Sequence, residues 1–476
     1  MDRPVILFGA GKLGQTAFLT LEEKYNIDYF CDNDLQKQGQ FMLGIEIINP
    51  EKIKELINPV VIVCSLYYRE ISWQLLEMNV DTVMVFSTNV QLDSEPRILR
   101  EKEFSLEELK VNSINNTISL IQKNYSGSNT YALSKLIPEK YRTRFFINKM
   151  FSTKTNWMDD NICWSRVVIT SFAEIFNKIN GQIHLELWHG FPFKKMYLMD
   201  DTSIFKKNKI WNEIDFYASY STFYNTLFNA CIGTEGVKYR ITGMPRNDFL
   251  FSADGLKNLL SLSGGIFSGR KIILYAPTFR FNQFENRNEG GKTWTNVFGF
   301  ESFDWKRFLT FLDSNNCTLI LKLHPAEEEY IINQWPEVSQ NLFLLKDEHL
   351  EAAGIDLYEI LNAVDILLTD YSSIYFDFLL LDRPEIFIPA DLEQYTQKRG
   401  FLLEPYDFWT PGPKADTQDS LEAAIVNSLS RKSYFAIERQ TIRDLVHCFK
   451  DGKSSERVWD LIAQMIEEKN KGATYE

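Results

Sequence analysis

Histidine and cysteine are scarce in this chain, and positive charge is outnumbered. Five histidines in 476 residues leave few groups for acid–base chemistry near neutral pH, so each one at a strand-end turn carries weight. Cys31, Cys64, Cys163, Cys231, Cys317 and Cys448 never fall in a CxxC spacing, which excludes a zinc or disulfide framework and suits reduced thiols in the cytoplasm. A formal charge of −13 at pH 7 argues against nucleic acid as a partner, because binding it broadly takes clustered Lys and Arg. No apolar run reaches the length of a membrane-spanning helix, and Met1–Gly14 reads as a strand and glycine turn rather than a signal peptide. A soluble or peripheral cytoplasmic protein is the expectation. Aromatics are abundant instead: 36 Phe, 21 Tyr and 10 Trp within a 45% apolar composition supply cores for two or three domains at this length.

The most informative stretch is Asp365–Asp382, DILLTDYSSIYFDFLLLD, which reads as buried strand, polar turn and helix. Ser372 or Ser373 stands where an N-cap hydroxyl belongs, and the two serines with the helix N–H groups make a candidate phosphate cradle. The competing reading is an ordinary capped helix.

Taken in order, the chain opens on the strand Pro4–Phe8, running into Gly9-Ala10-Gly11-Lys12-Leu13-Gly14 and a helix over Thr16–Lys24. The strand Ile27–Cys31 then ends at Asp32-Asn33-Asp34, where a dinucleotide fold places its ribose-binding acid. Gly9, Gly11, Gly14 and Asp32 are therefore candidates for a nucleotide, against a glycine turn kept for packing. Strands at Val60–Ser65 and Thr82–Ser87 with a helix at Ile71–Met78 complete a Rossmann-like module, residues 1–95, and a charged linking helix is expected over 96–116. A second α/β domain, 117–262, is read as helices at Thr117–Lys123, Ala132–Ile137 and Phe172–Lys178 with strands at Val167–Thr170, His184–Trp188, Tyr217–Ser219 and Val237–Thr242. A third, 263–476, follows the Gly/Ser-rich hinge Ser261–Gly269. Its strands Lys271–Tyr275, Thr318–Leu323 and Ile366–Thr369 each end in polar residues, where ligands of open α/β sheets bind.

In series, His-Gly-x-Pro-x-Lys at 189–194, Gly243 to Asp248, Ala-Pro-Thr-Phe-Arg at 276–280, Lys-Leu-His-Pro at 322–325, Thr-Asp-Tyr-Ser-Ser at 369–373, Phe376-Asp377-Phe378, Arg399-Gly400, Pro-Gly-Pro at 411–413 and Asp451-Gly452 resemble the CDP-glycerol glycerophosphotransferase family, the primases and polymerases of teichoic acid and related capsule polymers. The resemblance covers about 120 to 460 and implies an α/β fold in which the Rossmann-like module precedes a two-domain GT-B-like fold. It also implies transfer of an alditol phosphate, glycerol phosphate foremost, from a CDP-alditol to a polymer or lipid-linked acceptor with release of CMP. Such chemistry needs alignment and charge stabilisation more than covalent help. On the matched positions, His189 is the general base, His324 contacts phosphate, and Asp370 orients His324 or a serine. Gly190, Lys194, Arg246, Thr278, Arg280, Thr369, Ser372 and Ser373 hold the donor; Arg280 has the alternative of bracing its loop. No cofactor or metal is required, although a pyrophosphate admits Mg²⁺. Where the family has Thr-Pro-Leu this chain has Phe191-Pro192-Phe193, which sets Phe191 beside the base and bears on acceptor preference; Ser454 replaces a usual Ala. A glycosyltransferase using a nucleotide sugar on the same fold is the first alternative, and a non-catalytic nucleotide-binding scaffold the second. Weak membrane contact is expected from Lys140–Trp157, where Arg142, Arg144 and Lys149 alternate with aromatics, and from Phe205–Trp211.

Overall fold

The computed structural model describes residues 3–65, 71, 74–75, 77–86, 97–98, 115–151, 165–173, 182–201, 210–265, 269–282, 287–325, 327–328, 341–431 and 433–472. Contacts divide the chain at Asn115 into two units, with 156–166 and 175–180 counted in the first.

The first unit is one sheet built from β1 (Val5–Phe8), β2 (Ile27–Cys31), β3 (Phe41–Met42), β4 (Ile45–Ile48), β5 (Val60–Val63), β6 (Thr82–Val85) and β7 (Arg97–Ile98), in the order β3-β4-β2-β1-β5-β6-β7. Its middle strands are parallel, and β3 and β7 close the two edges antiparallel. Residues 97–98 and 115–116 are strand rather than linking helix; the rest of that expected helix, and part of Ile71–Met78, lie outside the described residues. The helix after the glycine turn runs Lys12–Leu21, burying Gly14, Ala17 and Leu21 along one stripe. Gly9 has φ +121°, and a Cβ there would overlap the Cys64 carbonyl, while one on Gly14 would overlap the Gly9 carbonyl. Close packing therefore accounts for both. Asp32 is engaged as well: its carboxylate accepts Ala10 N–H (2.8 Å), Asp34 N–H (2.9 Å) and the Lys37 ammonium (2.9 Å). These bonds hold it below the usual carboxylate range against the opposing effect of burial, and they satisfy it without a ribose.

Two further sheets make up the second unit. β8 (Asn115–Gln122), β9 (Phe146–Phe151), β10 (Ser165–Thr170), β11 (Ile183–Glu186), β12 (Phe216–Ser219) and β13 (Tyr239–Ile241) lie in the order β13-β12-β11-β10-β8-β9. The expected helix over Thr117–Lys123 is this sheet's strand β8, because Ile118 and Leu120 face one core together, a period of two, and β-branched residues favour the pleated backbone. The second sheet contains β14 (Lys271–Tyr275), β17 (Cys317–Leu321), β18 (Leu342–Leu344), β19 (Ile366–Thr369) and β20 (Glu385–Phe387), ordered β18-β17-β14-β19-β20 and parallel throughout. A two-stranded ribbon, β15 (Phe281–Asn282) and β16 (Arg287–Asn288), stands apart from it. Buried on both faces, β14, β17 and β19 read as the continuous apolar runs that parallel sheets require. In both sheets the strand order reverses beside the first strand, which opens a crevice at the carboxyl edge.

Several expected boundaries move. Ser261–Ser263 are the last turn of a helix, Gly255–Ser263, ended by left-handed Gly264 (φ +64°), so the break starts later than expected. The final helix, Ser454–Gly472, packs Val458, Trp459, Ile462 and Ile466 into the core of the first sheet, against Ile118, Val167 and Leu185. Residues 454–472 therefore belong with that sheet, not with the domain that precedes them in sequence. The same packing draws in the expected membrane segment: Tyr141 and Phe145 stack on Trp459, and Lys140 and Arg144 pair with Asp460 and Glu467. Trp211 is buried too. Residues 152–164 and 202–209 lie outside the described residues, and among those described no helix is long and apolar enough to cross a membrane.

Candidate active site

His189 sits at the carboxyl end of β11, just after Trp188, whose left-handed backbone (φ +54°) turns the chain back over the sheet. A carbonyl oxygen can only accept, so the 3.0 Å bond between His189 Nδ1 and the Ser171 carbonyl places the ring proton on Nδ1 and leaves Nε2 with a free lone pair. Phe172 stacks on one side of the ring at 4.3 Å, and Trp188 lies 4.1 Å away. Burial, reinforced by the charges of Arg246, Lys123 and Lys194 and opposed by the Ser171 bond, pushes the imidazole down to about 3. It is a neutral base with one defined acceptor nitrogen.

The second sheet brings its three polar strand ends to one edge, since β17, β14 and β19 are adjacent and parallel. Here Asp370 does something other than expected. Its Oδ1 accepts the Thr278 N–H at 2.7 Å and the N–H of Tyr371, and its Oδ2 lies 2.8 Å from Arg280 Nη2. The carboxylate thus ties the Thr278 loop to the serine turn, and among the described residues its bonds go to neither His324 nor a serine hydroxyl. Arg280 is saturated by Asp370 and by a two-point pairing with Asp391 at 2.9 and 2.8 Å, between the faces of Tyr371 and Tyr395, which makes it a brace for its loop. Thr369 donates to the Ala276 carbonyl at 2.8 Å and is equally engaged. The His324 ring lies against Phe279 at 4.6 Å, and burial and then Lys322 lower its pKa against the pull of Asp347.

Other groups at this edge show no side-chain partner among the described residues. Ser373 occupies the N-cap position of the helix Ile374–Phe378, but its own backbone is helical (φ −67°, ψ −5°) and its hydroxyl caps nothing. A cap needs an extended residue whose side chain points back at the first turn. Thr278 Oγ1 is buried with no hydrogen-bond partner among the described residues. Lys194, bridged through its backbone to Phe401, is pushed down to about 8 by burial, with the charges of Arg399 and Arg280 adding to the effect and those of Glu289 and Asp370 opposing it.

The two edges meet. A Cβ on Gly190 would sit 2.6 Å from Ser373 Oγ, so the glycine after the base is what lets the serine turn approach. Arg246 is engaged by the protein: its side chain, 4% exposed, pairs with Asp377 at 2.6 Å and donates to the carbonyls of His189 (2.7 Å) and Gly127 (2.9 Å). Phe191 is buried in the core, 4.4 Å from Phe376. Asp377 and Asp356 were assigned no role from sequence. Asp356 accepts the N–H groups of Gly127, Ser128 and Tyr358, pinning the loop after β8 to the second sheet's half. Asp377 was visible as the one acid among the apolar residues of its helix, a charge on a face that must be buried.

The family model of CDP-glycerol:poly(glycerophosphate) glycerophosphotransferase matches residues 141–464, and that of C2185-like N-terminal modules matches 1–86. Among curated relatives, a teichoic acid poly(glycerol phosphate) polymerase of Bacillus spizizenii is 32% identical over 59% of this chain and 70% of its own length. A teichoic acid glycerol-phosphate primase of Bacillus subtilis is 24% identical over 85% of this chain and 97% of its own. The ribitol-phosphate polymerase TarL of Staphylococcus aureus is 29% identical, and the chain spans only 35% of its length; two further ribitol-phosphate polymerases are covered to 34% and 39%. The wall teichoic acid polymerase TagF, as its H548A variant, superposes with a TM-score of 0.59 at 21% identity over 76% of this chain and 91% of that one, a likeness of fold alone.

Proposed function

Since the chain belongs to the CDP-glycerol:poly(glycerophosphate) glycerophosphotransferase family, we propose that it transfers an alditol phosphate, glycerol phosphate foremost, from a CDP-alditol to a hydroxyl of a polymer or lipid-linked acceptor in teichoic acid or capsule synthesis. The observation that carries this reading is the contact of the two edges: the bare Nε2 of a neutral His189 belongs to the residue next to Gly190, against which the uncapped Ser373 hydroxyl rests. In the reaction the acceptor oxygen attacks the distal phosphorus and its proton passes to His189 Nε2. The bond from that phosphorus to the bridging oxygen breaks, and CMP leaves with the oxygen. Ser372, Ser373, Thr278 Oγ1 and the Lys194 ammonium supply donors and charge for the pyrophosphate, with His324 as a further phosphate contact. Asp370, Arg280, Thr369 and Arg246 act behind them by holding the loops.

No metal is required in this scheme, and addition of Mg²⁺ or of a chelator to the assay tests that. We place the enzyme in the cytoplasm, at the inner face of the membrane where a lipid-linked acceptor would be found, in weak contact through charge and through Phe146, which is 68% exposed. The deciding experiment is incubation of the purified chain with CDP-glycerol, CDP-ribitol and nucleotide sugars. CMP release from a CDP-alditol is expected; UDP release from a sugar donor would replace this reading with a glycosyltransferase.

A further inference from the structure

Behind His189 lies an acid that the scheme above does not use. Glu186, the last residue of β11, is fully buried and points its carboxylate at both loops that define the imidazole. Its Oε1 accepts the Trp188 N–H at 2.7 Å, and its Oε2 accepts the Ala173 N–H at 3.1 Å and the Thr170 hydroxyl at 2.5 Å. The Thr170 hydroxyl has one proton, given to Glu186, so it receives the His184 Nε2–H at 2.7 Å. A single carboxylate thus grips the loop after β10, whose Ser171 carbonyl takes the His189 Nδ1 proton, and the loop after β11, whose left-handed Trp188 carries His189. A bulky residue at positive φ persists only where its surroundings hold it.

We propose that Glu186 is a positioning residue for His189: it fixes the ring's place and tautomer by clamping the backbone on both sides. The inference rests on the reading of His189 as general base. An amide at this position would offer an N–H to one of these donors and open the clamp on that side. The ring would then lose its Ser171 acceptor part of the time, and a displacement on the order of 1 Å costs up to about 10²-fold in rate.

The test pairs Glu186→Gln with Thr170→Val, which removes one donor and keeps the shape, so that one clamp variant remains should the other fail to fold. CMP release from CDP-glycerol is measured for each, with donor affinity by calorimetry and the protonation of the His189 ring nitrogens by NMR. A fall in kcat of about 10–10²-fold with unchanged donor affinity, and a ring that exchanges between tautomers, is the expected result. Parent kcat, or a loss confined to donor affinity, in either folded variant overturns the proposal, as does a ring that keeps its single Nδ1–H tautomer. His189→Ala is run alongside: turnover that survives it sinks the base reading, while the ring NMR of the Glu186 and Thr170 variants still decides the clamp.

Discussion

Arg246 and Asp377 form a buried ion pair, Nη2 to Oδ2 at 2.6 Å, with side chains 4% and 0% exposed. The guanidinium also holds the His189 carbonyl, and the carboxylate also accepts the Tyr358 hydroxyl at 2.6 Å and the Asn247 amide at 2.9 Å. One pair therefore ties the loop of the base to the helix that follows the serine turn. Such a pair adds little net stability over an apolar substitute, because desolvation offsets the attraction.

Removing one partner is a different matter, since the other charge stays buried. Asp377→Ala is expected to cost about 3–5 kcal/mol, read by urea unfolding of the full chain. A cost under about 1 kcal/mol, the level of a surface pair, would mean that Arg246 finds water or another acceptor.

His189→Ala should lower kcat by about 10²–10⁴-fold with CDP-alditol affinity retained. Near-parent turnover would remove His189 from the chemistry.

The same residue sets a pH dependence of stability. Its pKa falls from 6.5 to about 3 on folding, so between those values the unfolded chain binds a proton that the folded chain refuses. The contribution is complete above about pH 6.5 and is lost as the pH falls toward 3. His189→Gln lacks it, so the stability of the parent relative to this variant should shrink by about 2 kcal/mol between pH 7 and pH 5. A difference that does not change with pH would place the imidazole in an ordinary solvated setting.

Gly190→Ala should leave the fold intact, because the atom its Cβ meets is a serine hydroxyl that can rotate. Displacing that hydroxyl is expected to raise the KM for the donor about tenfold, the loss of about one hydrogen bond. In a Ser373→Ala background the Gly190 substitution should then add little; full additivity of the two would separate the contact from donor binding.

In the N-terminal unit, Gly14→Ala puts a Cβ onto the Gly9 carbonyl and should cost about 1–3 kcal/mol, whereas Gly11→Ala meets open space and should be near neutral. Thermal unfolding of the full chain compares them. Equal effects would contradict the assignment of the turn to packing.

Much of the framework is set locally and was legible in the residues. β2 and β14 fall on the expected ranges, Ile27–Cys31 and Lys271–Tyr275, because a short apolar run between polar turns leaves a strand few alternatives. That β17, β14 and β19 end at one edge follows from parallel pairing of such runs. The strand at β8 was missed because Asn115–Gln122 mixes polar and apolar residues, and only its place between β9 and β10 reveals that both faces are covered.

By itself the sequence determined the α/β class, the strands β1, β2, β14 and β19 with the turns that follow them, and the presence of His189, His324 and the serine turn at strand ends. Tertiary structure alone decided what those side chains do. Arg246, Arg280, Asp370, Thr369 and Asp32 carry the chemistry of ligand contacts, yet each spends its bonds on the protein. Ser372, Ser373 and Lys194 show no side-chain hydrogen bond or ion pair among the described residues. The physical reason is that a polar group's availability depends on which donors and acceptors the fold brings within about 3 Å of it, and for Arg246 and Arg280 those partners, Asp377 and Asp391, lie more than a hundred residues away in the chain.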